Sequence, residues 1–314
     1  MSGPFVPSGQ QFRIAGSGQE LVAVEVGGGI RSYRSGDLNV LDGYPETAIC
    51  SGGRGQLLAP WPNRVGDGCW EWEGATYQLA LSEPEHSNAI HGLVRWLPWS
   101  LLEQDEGAGD RSTMRLGCRL YPQPGWPWLL DLSVKYDLGV EGLTATTSVT
   151  NSGGPGPCPI GLGWHPYIAA FGAAVDELDL RVPAAVSYVS DERGLPVSKG
   201  PVDGTDDDFR VAQRIGRAKL DVAFTEFERD STGRAMVEVR HPSGQGTRLW
   251  MDDNFTHLMV YTGDTLAEPD RRRRGLAVEP MTCAPDMLRN RDGMVLLPEG
   301  IPFEAAWGLE IFKI

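Results

Sequence analysis

Cysteine and histidine are both scarce in this sequence, and neither occurs in a metal-binding pattern. The five cysteines, Cys50, Cys69, Cys118, Cys158 and Cys283, are scattered and never form a Cys-x-x-Cys pair. The five histidines form neither His-x-x-x-His nor His-Glu-x-x-His. Because disulfide frameworks and zinc sites need such spacings, we predict no metal ion and a reducing, cytoplasmic location.

Long apolar runs are also missing, and positive charge is in the minority. No apolar run approaches the roughly 18 residues of a membrane span, and the N-terminus lacks the basic and apolar regions of a secretory signal. The 28 basic against 42 acidic side chains give a net charge of −14, which repels phosphate backbones and anionic lipid. We therefore expect neither nucleic acid nor a membrane as partner, and we interpret the basic run Arg271–Arg274 as a solvated loop.

Helical periodicity is scarce, whereas alternation of apolar and polar residues with a period of two is common. The alternating segments are Met114–Leu120, Leu130–Leu138, Leu143–Val149 and Trp307–Ile311. Such alternation predicts half-buried strands, and the apolar runs Leu258–Tyr261 and Leu276–Val278 predict strands buried on both faces. We predict helical turns only near Ala284–Leu288 and Val211–Gly216.

The arrangement of these strands predicts the fold class. The 40 glycines and 23 prolines are spread along the chain, as expected for many turns between short strands. No linker, charge block or repeat of fixed period divides the sequence. We predict an all-β protein, a large antiparallel β-sandwich in which residues 1–314 form a single domain.

Common catalytic signatures are absent as well, which leaves few groups for chemistry. There is no Gly-x-Ser-x-Gly elbow, no P-loop and no dinucleotide-binding glycine pattern. What remains are His91 in Asn-Ala-Ile-His-Gly, His165 in Gly-Trp-His-Pro-Tyr, and Glu279 in Ala-Val-Glu-Pro. Glu279 follows a buried apolar run, where burial would raise the pKa of its carboxyl group. Alternatively, Glu279 points to solvent and His165 is a hydrogen-bonded structural residue.

Taken in chain order, these segments resemble the aldose 1-epimerase (galactose mutarotase) family over roughly residues 55–312. The matching segments are Asn63-Arg64, Gly74–Leu79, Asn88–Gly92, Gly163–Tyr167, Pro201–Arg210, Asp221, Val260–Gly263 and Val278–Pro280. The resemblance implies a mutarotase-like β-sandwich with an open carbohydrate cleft. It also implies interconversion of the α and β anomers of a free monosaccharide, without a cofactor.

The resemblance further implies a role for each matching residue. Glu279 would be the base at the anomeric hydroxyl O1, and His165 the acid at the ring oxygen O5. Arg64 and His91 would donate hydrogen bonds to the sugar, Asp221 would accept them, and Asn63 would support Arg64. We also expect Trp164 to form a wall of the cleft; an ion pair between Arg64 and Asp67 is the alternative for Arg64.

Other functions on the same fold stay open. A hexose-6-phosphate mutarotase would need a cationic pocket, for which Arg95 and Arg271–Arg274 are the candidates. A sugar-binding module would keep the cleft and lose the chemistry. Met259 stands where many galactose mutarotases have a sugar-binding glutamine, so the resemblance does not carry the galactose preference over. Neither the sugar nor the oligomeric state follows from the sequence.

Overall fold

Strands dominate the structure, a computed structural model that describes residues 5–107 and 110–313. In chain order they are β1 (Gln11–Gly16), β2 (Gln19–Val24), β3 (Ile30–Ser35), β4 (Leu38–Asn39), β5 (Leu57–Leu58), β6 (Arg64–Gly66), β7 (Cys69–Trp72), β8 (Ala75–Gln78), β9 (Asn88–Ile90), β10 (Ser100–Asp105), β11 (Ser112–Leu120), β12 (Leu129–Gly139), β13 (Gly142–Gly153), β14 (Cys158–Ile160), β15 (Gly163–Trp164), β16 (Tyr167–Ala169), β17 (Asp179–Arg181), β18 (Ala184–Ser190), β19 (Pro196–Pro201), β20 (Gln213–Arg214), β21 (Asp221–Phe227), β22 (Ala235–Arg240), β23 (Gln245–Met251), β24 (His257–Tyr261), β25 (Gly275–Met281), β26 (Val295–Leu297) and β27 (Pro302–Lys313). The helical elements are three single 3-10 turns, Pro84–His86, Val175–Glu177 and Pro269–Arg271, and the short helix α1 (Met287–Asn290). The all-β prediction is confirmed.

Two large antiparallel sheets form the sandwich. One has nine strands in the order β10-β11-β12-β13-β27-β23-β22-β17-β20. The other has eight strands, β19-β18-β21-β24-β25-β15-β5 with β16 paired to β25. A four-stranded sheet, β1 to β4, lies N-terminal to both, and the pairs β14-β26, β6-β9 and β7-β8 complete the ladders.

The alternating segments of the sequence form strands, as predicted, and these strands are neighbours in the nine-stranded sheet. They correspond to β11, β12, β13 and β27, and the two apolar runs correspond to β24 and β25. The predicted turn near Ala284–Leu288 overlaps α1, whereas the turn expected at Val211–Gly216 is wrong because Gln213–Arg214 pairs with β17 as an edge strand. One apolar cluster collects residues from the N-terminal sheet and from both large sheets, which supports the proposed single domain.

The eight-stranded sheet presents two different faces, and this difference positions the candidate site. On β24, Leu258 and Val260 enter the main core, while Met259 points to the opposite face. The register pairs Met259 with Glu279 on β25, so Glu279 shares that opposite face. Because successive side chains alternate across a strand, this sheet uses one face for packing and the other for a cleft.

Candidate active site

Glu279 and His165 form a close pair beneath the cleft. The Oε1 atom of Glu279 lies 3.3 Å from Nε2 of His165, and both side chains are almost fully buried. The strand β25 extends through Pro280 to Met281, so Glu279 is inside a strand and does not point to solvent. Oε2 of Glu279 and Nδ1 of His165 have no hydrogen-bond partner among the described residues. Such unsatisfied buried groups are rare and concentrate at sites with a function.

The His165 ring is clamped from two sides. The Tyr167 ring stacks on it at 5.0 Å between centroids with an interplanar angle of 11°. On the other side the backbone passes at Gly53, which has φ +74°, and a Cβ there would lie 2.6 Å from Cδ2 of His165. Tyr167 is itself fixed, since its hydroxyl donates to the Gly52 carbonyl oxygen and the Arg54 guanidinium lies 4.6 Å from its ring centroid. The orientation of the imidazole is therefore determined by packing.

Burial moves the pKa values of the pair in opposite directions. It raises the pKa of Glu279 well above its ordinary value; nearby Asp221 raises it further and Arg64 opposes the shift. Burial also lowers the pKa of His165 to about 3, with further lowering by the positive charges of Arg95 and Arg54. Both shifts disfavour the ionised pair relative to a protonated Glu279 beside a neutral imidazole.

His91 enters the cleft from a left-handed turn. Asn63 and His91 both have positive φ, 56° and 63°, a conformation in which Asn and His are enriched among non-glycine residues. The backbone N–H of Asn63 donates to Nδ1 of His91 at 3.2 Å, and the His91 N–H donates to the Asn63 carbonyl at 2.9 Å. Because Nδ1 accepts a hydrogen bond, the neutral ring carries its proton on Nε2. Burial keeps His91 neutral by lowering its pKa well below the usual value.

Arg64 is held by Glu83 and not by Asp67. Its Nε and Nη2 atoms donate to the two carboxylate oxygens of Glu83 at 2.8 and 2.9 Å. Asn88 also donates to Glu83, at 2.8 Å, whereas Asp67 pairs with Arg193. Asn63 supports Arg64 as expected, because its side-chain oxygen accepts from the Arg64 backbone N–H. Glu83 lies between the matching segments Gly74–Leu79 and Asn88–Gly92 and belongs to neither of them, and no pattern indicated it.

Asp221 is the first residue of strand β21, and it lines the cleft. Its register partner is Tyr261 on β24, so Asp221, Tyr261, Met259 and Glu279 lie on one face of the sheet. Burial raises the pKa of Asp221, while the positive charge of Arg64 opposes that shift. A carboxylate beside an arginine on an open surface is an arrangement that can accept and donate hydrogen bonds to vicinal hydroxyl groups.

A cleft of about 380 Å³ brings the predicted residues together, with one exception. Its lining includes Asn63, Arg64, His91, His165, Asp221 and Glu279. Trp164 is fully buried in the main core instead, where its indole Nε1 donates to Thr147 and its ring packs on Tyr136 and Trp307. The prediction of Trp164 as a cleft wall is wrong, because residues adjacent in a strand point to opposite faces and His165 takes the cleft side.

Two further residues of the cleft carry chemistry that the sequence motifs did not assign. Tyr167 was quoted in the motif around His165, yet only the structure shows that it stacks on the imidazole. Arg95, named only as a candidate for a phosphate pocket, lines the same cleft. Within the described residues, no group of three or more His, Cys, Asp or Glu side chains is arranged to hold a metal ion.

The basic run Arg271–Arg274 is not a freely solvated loop. Arg271 bonds to Asp42 at 3.1 Å, Arg272 donates to the Leu266 carbonyl, and Arg273 pairs with Asp176 and Asp264. These contacts anchor the segment between β24 and β25, because each guanidinium has several donors in fixed directions. Separately, none of the helices in the described part of the chain is long and apolar enough to cross a membrane.

Comparison with known proteins agrees with the fold. The Escherichia coli K12 uncharacterized protein YihR is 29% identical over 295 residues, which cover 94% of this chain and 91% of that protein. A galactose mutarotase-like protein from Clostridium acetobutylicum superposes with a TM-score of 0.84 at 17% identity, covering 97% of this chain and 95% of the other. A galactose 1-epimerase from Lactobacillus acidophilus superposes with a TM-score of 0.79 at 19% identity, covering 96% and 94%.

At these identities the two superpositions establish the fold alone. A family model described as aldose 1-epimerase, however, matches residues 10–306, which is nearly the whole sequence and includes every residue of the cleft discussed above. The chain therefore belongs to the aldose 1-epimerase family.

Proposed function

We propose that this protein is a mutarotase that interconverts the α and β anomers of a free aldose by general acid–base catalysis. The observation that carries the proposal is the contact of 3.3 Å between His165 and Glu279 at the base of the cleft. An acid and a base that are held together, both buried and both accessible from one pocket, meet the needs of this reaction.

Anomer exchange requires two proton transfers and no redox step. Glu279 takes the proton from the O1 hydroxyl while His165 gives a proton to O5, and the bond between C1 and O5 breaks to leave the open aldehyde. Rotation about the bond between C1 and C2 presents the other face of the carbonyl group. Return of both protons then closes the ring as the opposite anomer, so protons and electrons balance without a cofactor.

The pKa shifts favour these transfers in the direction that opens the ring. A carboxylate with a raised pKa is a stronger base, and an imidazolium with a lowered pKa is a stronger acid. After ring opening Glu279 is protonated and His165 is neutral, which is the pair that burial prefers. The same shifts keep the population of the ionised pair, which is the reactive form, small before the reaction.

The other polar residues of the cleft would bind and orient the sugar. The Nε2–H group of His91 is a donor close to His165, since the two ring centroids lie 5.4 Å apart. Arg64 and Asp221 would bind ring hydroxyls on the Glu279 side of the cleft. Glu83 and Asn63 would position Arg64. We also propose a cytoplasmic location, in keeping with five free cysteines.

A sugar-binding module without catalysis is the second candidate. Burial of an isolated acid–base pair costs free energy that a binding site would not need. The test is exchange spectroscopy by NMR on a panel of free aldoses at equilibrium, with and without the protein. A mutarotase accelerates exchange between the two anomeric C1 signals in proportion to protein concentration. Saturable binding with unchanged exchange on every sugar would make the protein a binding module and reject the proposal.

A further inference from the structure

The tight turn between β18 and β19, residues 191–195, lies directly behind Arg64. The strands β18 and β19 form one edge of the eight-stranded sheet, whereas Arg64 begins β6, which pairs with β9. A Cβ at Gly194 would lie 2.5 Å from Nη1 of Arg64, 2.8 Å from Cζ and 3.0 Å from Nε, so the Gly194 backbone packs against the guanidinium. Only a residue without a side chain permits this approach. Glu83 accepts from Nε and Nη2, so the turn lies beside the nitrogen that Glu83 does not hold.

Arg193 anchors this turn to the segment that precedes β9. Its Nε donates to the His86 carbonyl at 2.9 Å, and its Nη2 donates to the Ser87 carbonyl at 2.9 Å and to Oδ1 of Asn88 at 3.2 Å. Nη2 also bonds to Oδ1 of Asp67 at 2.9 Å, but that carboxylate is exposed and the ion pair adds little. The planar guanidinium therefore fixes the turn mainly through its acceptors in residues 86–88.

Asn88 joins Arg193 to the carboxylate that holds Arg64. It is fully buried, and its Nδ2 donates to Oε2 of Glu83 at 2.8 Å and to the Arg193 carbonyl at 2.9 Å. Glu83 in turn accepts both bonds from Arg64. A buried polar network keeps its geometry only while each member has its partners. Loss of the Arg193 side chain would remove a donor from Asn88 and loosen the network that orients Arg64.

We propose that the 191–195 turn is a positioning element for sugar binding, in which Arg193 and Gly194 hold the Arg64 guanidinium in the direction that meets the sugar. The inference rests on the proposed role of Arg64 in binding the sugar. Arg193 and Gly194 lie outside the lining of the cleft, so both act through Arg64. Contacts that hold the sugar equally before and during the reaction affect KM and leave kcat nearly unchanged. The two residues should therefore control affinity and not the proton transfers.

A second turn of the same geometry, residues 230–234, supplies a matched control. In both turns an aspartate comes first and accepts from the backbone N–H groups of the third and fifth residues. The fourth residue is a glycine with positive φ, +74° at Gly194 and +83° at Gly233, but a Cβ at Gly233 would meet no atom within 4 Å. The two alanine variants therefore carry similar backbone strain, and only Gly194→Ala presses on Arg64. We expect Gly194→Ala to raise KM by about tenfold with kcat nearly unchanged, and Gly233→Ala to keep the wild-type KM.

Variants of Arg193 test the same inference from the other end of the network. Exchange spectroscopy is run on D-glucose, D-galactose, D-mannose and D-xylose, and the sugar with the highest wild-type kcat/KM is used for the variants. Arg193→Met should raise KM by about threefold to tenfold, and Arg193→Lys should restore part of the loss. In an Arg64→Met background Arg193→Met should lower kcat/KM no further, because residues that act through one contact are not additive. Arg119→Met, which removes a surface guanidinium bonded twice to Asp131, is the control and should keep the wild-type KM.

The possible outcomes separate this inference from the mutarotase function. An unchanged KM in Gly194→Ala or Arg193→Met, or an Arg193→Met effect of equal size with and without Arg64, overturns the inference and leaves the mutarotase function standing. If a sugar binds without faster exchange, Kd from NMR titration replaces KM. The expected pattern in Kd would then support the positioning role while the mutarotase function fails. A panel in which no aldose binds or exchanges faster overturns both proposals.

Discussion

Nε2 of His165 and Oε1 of Glu279 are 3.3 Å apart, although 114 positions separate the two residues in the sequence. His165 directly follows strand β15, and Glu279 lies in the neighbouring strand β25. The eight-stranded sheet holds both side chains on the face opposite the main core. A single proton can reside on either group, so the neutral pair and the ionised pair contain the same number of protons. Their titration therefore belongs to the pair and not to either residue.

The pH dependence of kcat/KM should be bell-shaped. The pKa shifts caused by burial determine which residue gives each limb of the curve. The acidic limb reports protonation of His165, whose pKa is lowered to about 3, and the alkaline limb reports loss of the proton that Glu279 holds with a raised pKa. Asp221 raises the pKa of Glu279, so Asp221→Asn should lower it and move the alkaline limb to lower pH. The pH profiles of kcat/KM for the wild-type protein and for Asp221→Asn, measured by exchange spectroscopy, check this. An alkaline limb that stays in place would assign it to another group.

Substitution of Gly53 should disturb the reaction through the orientation of His165. In Gly53→Ala the new methyl carbon would lie 2.6 Å from Cδ2 of His165, so the imidazole or the backbone that carries the methyl group must shift. We expect kcat to fall by about tenfold or more, since small displacements of catalytic groups are costly. The matched control is Gly74→Ala, which has a similar φ of +81° but no atom within 4 Å of the new Cβ. Equal kcat values for the two variants would show that the contact between Gly53 and the His165 ring does not affect the reaction.

Trp164→Phe should lower stability and leave sugar recognition unchanged. The substitution removes the hydrogen bond to Thr147 and leaves that buried hydroxyl without its donor, at a cost of about 2 kcal/mol in the free energy of unfolding. Denaturant titration measures this loss, and Trp96→Phe at an exposed position should change stability by no more than about 0.5 kcal/mol. A clear rise in KM with unchanged stability would indicate that Trp164 contacts the sugar and would contradict its placement in the core.

His257 should make the protein less stable as the pH falls from about 6.5 to about 4. Burial lowers the pKa of His257 to about 4, despite Asp292 nearby, whereas an unfolded histidine titrates near 6.5. The unfolded chain therefore binds more protons across this window, and the free energy of unfolding decreases with decreasing pH. His257→Gln should reduce that slope by up to about 1.4 kcal/mol per pH unit in denaturant titrations. His241→Gln, in the turn between β22 and β23, is the control, and a slope equal to that of His257→Gln would contradict the assignment.

The sequence indicated much of the fold, because alternation along β11, β12, β13 and β27 directly reflects burial of one face. It indicated the residues of the cleft through the order of their motifs. It could not indicate Glu83 as the partner of Arg64, since that contact depends on the pairing of β6 with β9 and on the turn before β9. Nor could it predict which of Trp164 and His165 faces the cleft. The face of the sheet on which each residue lies depends on the register of β15 with β5.

Anomer exchange by Glu279→Gln measures the central claim most directly. Glutamine keeps the shape of the side chain but cannot accept the O1 proton, so kcat on the best aldose should fall by about 10²-fold or more while sugar affinity stays nearly unchanged. His165→Asn should behave alike, and the double variant should be little slower than either single one, because the two residues act as one proton relay. An exchange rate for Glu279→Gln equal to that of the wild-type protein would contradict the account, since the base would then be another group.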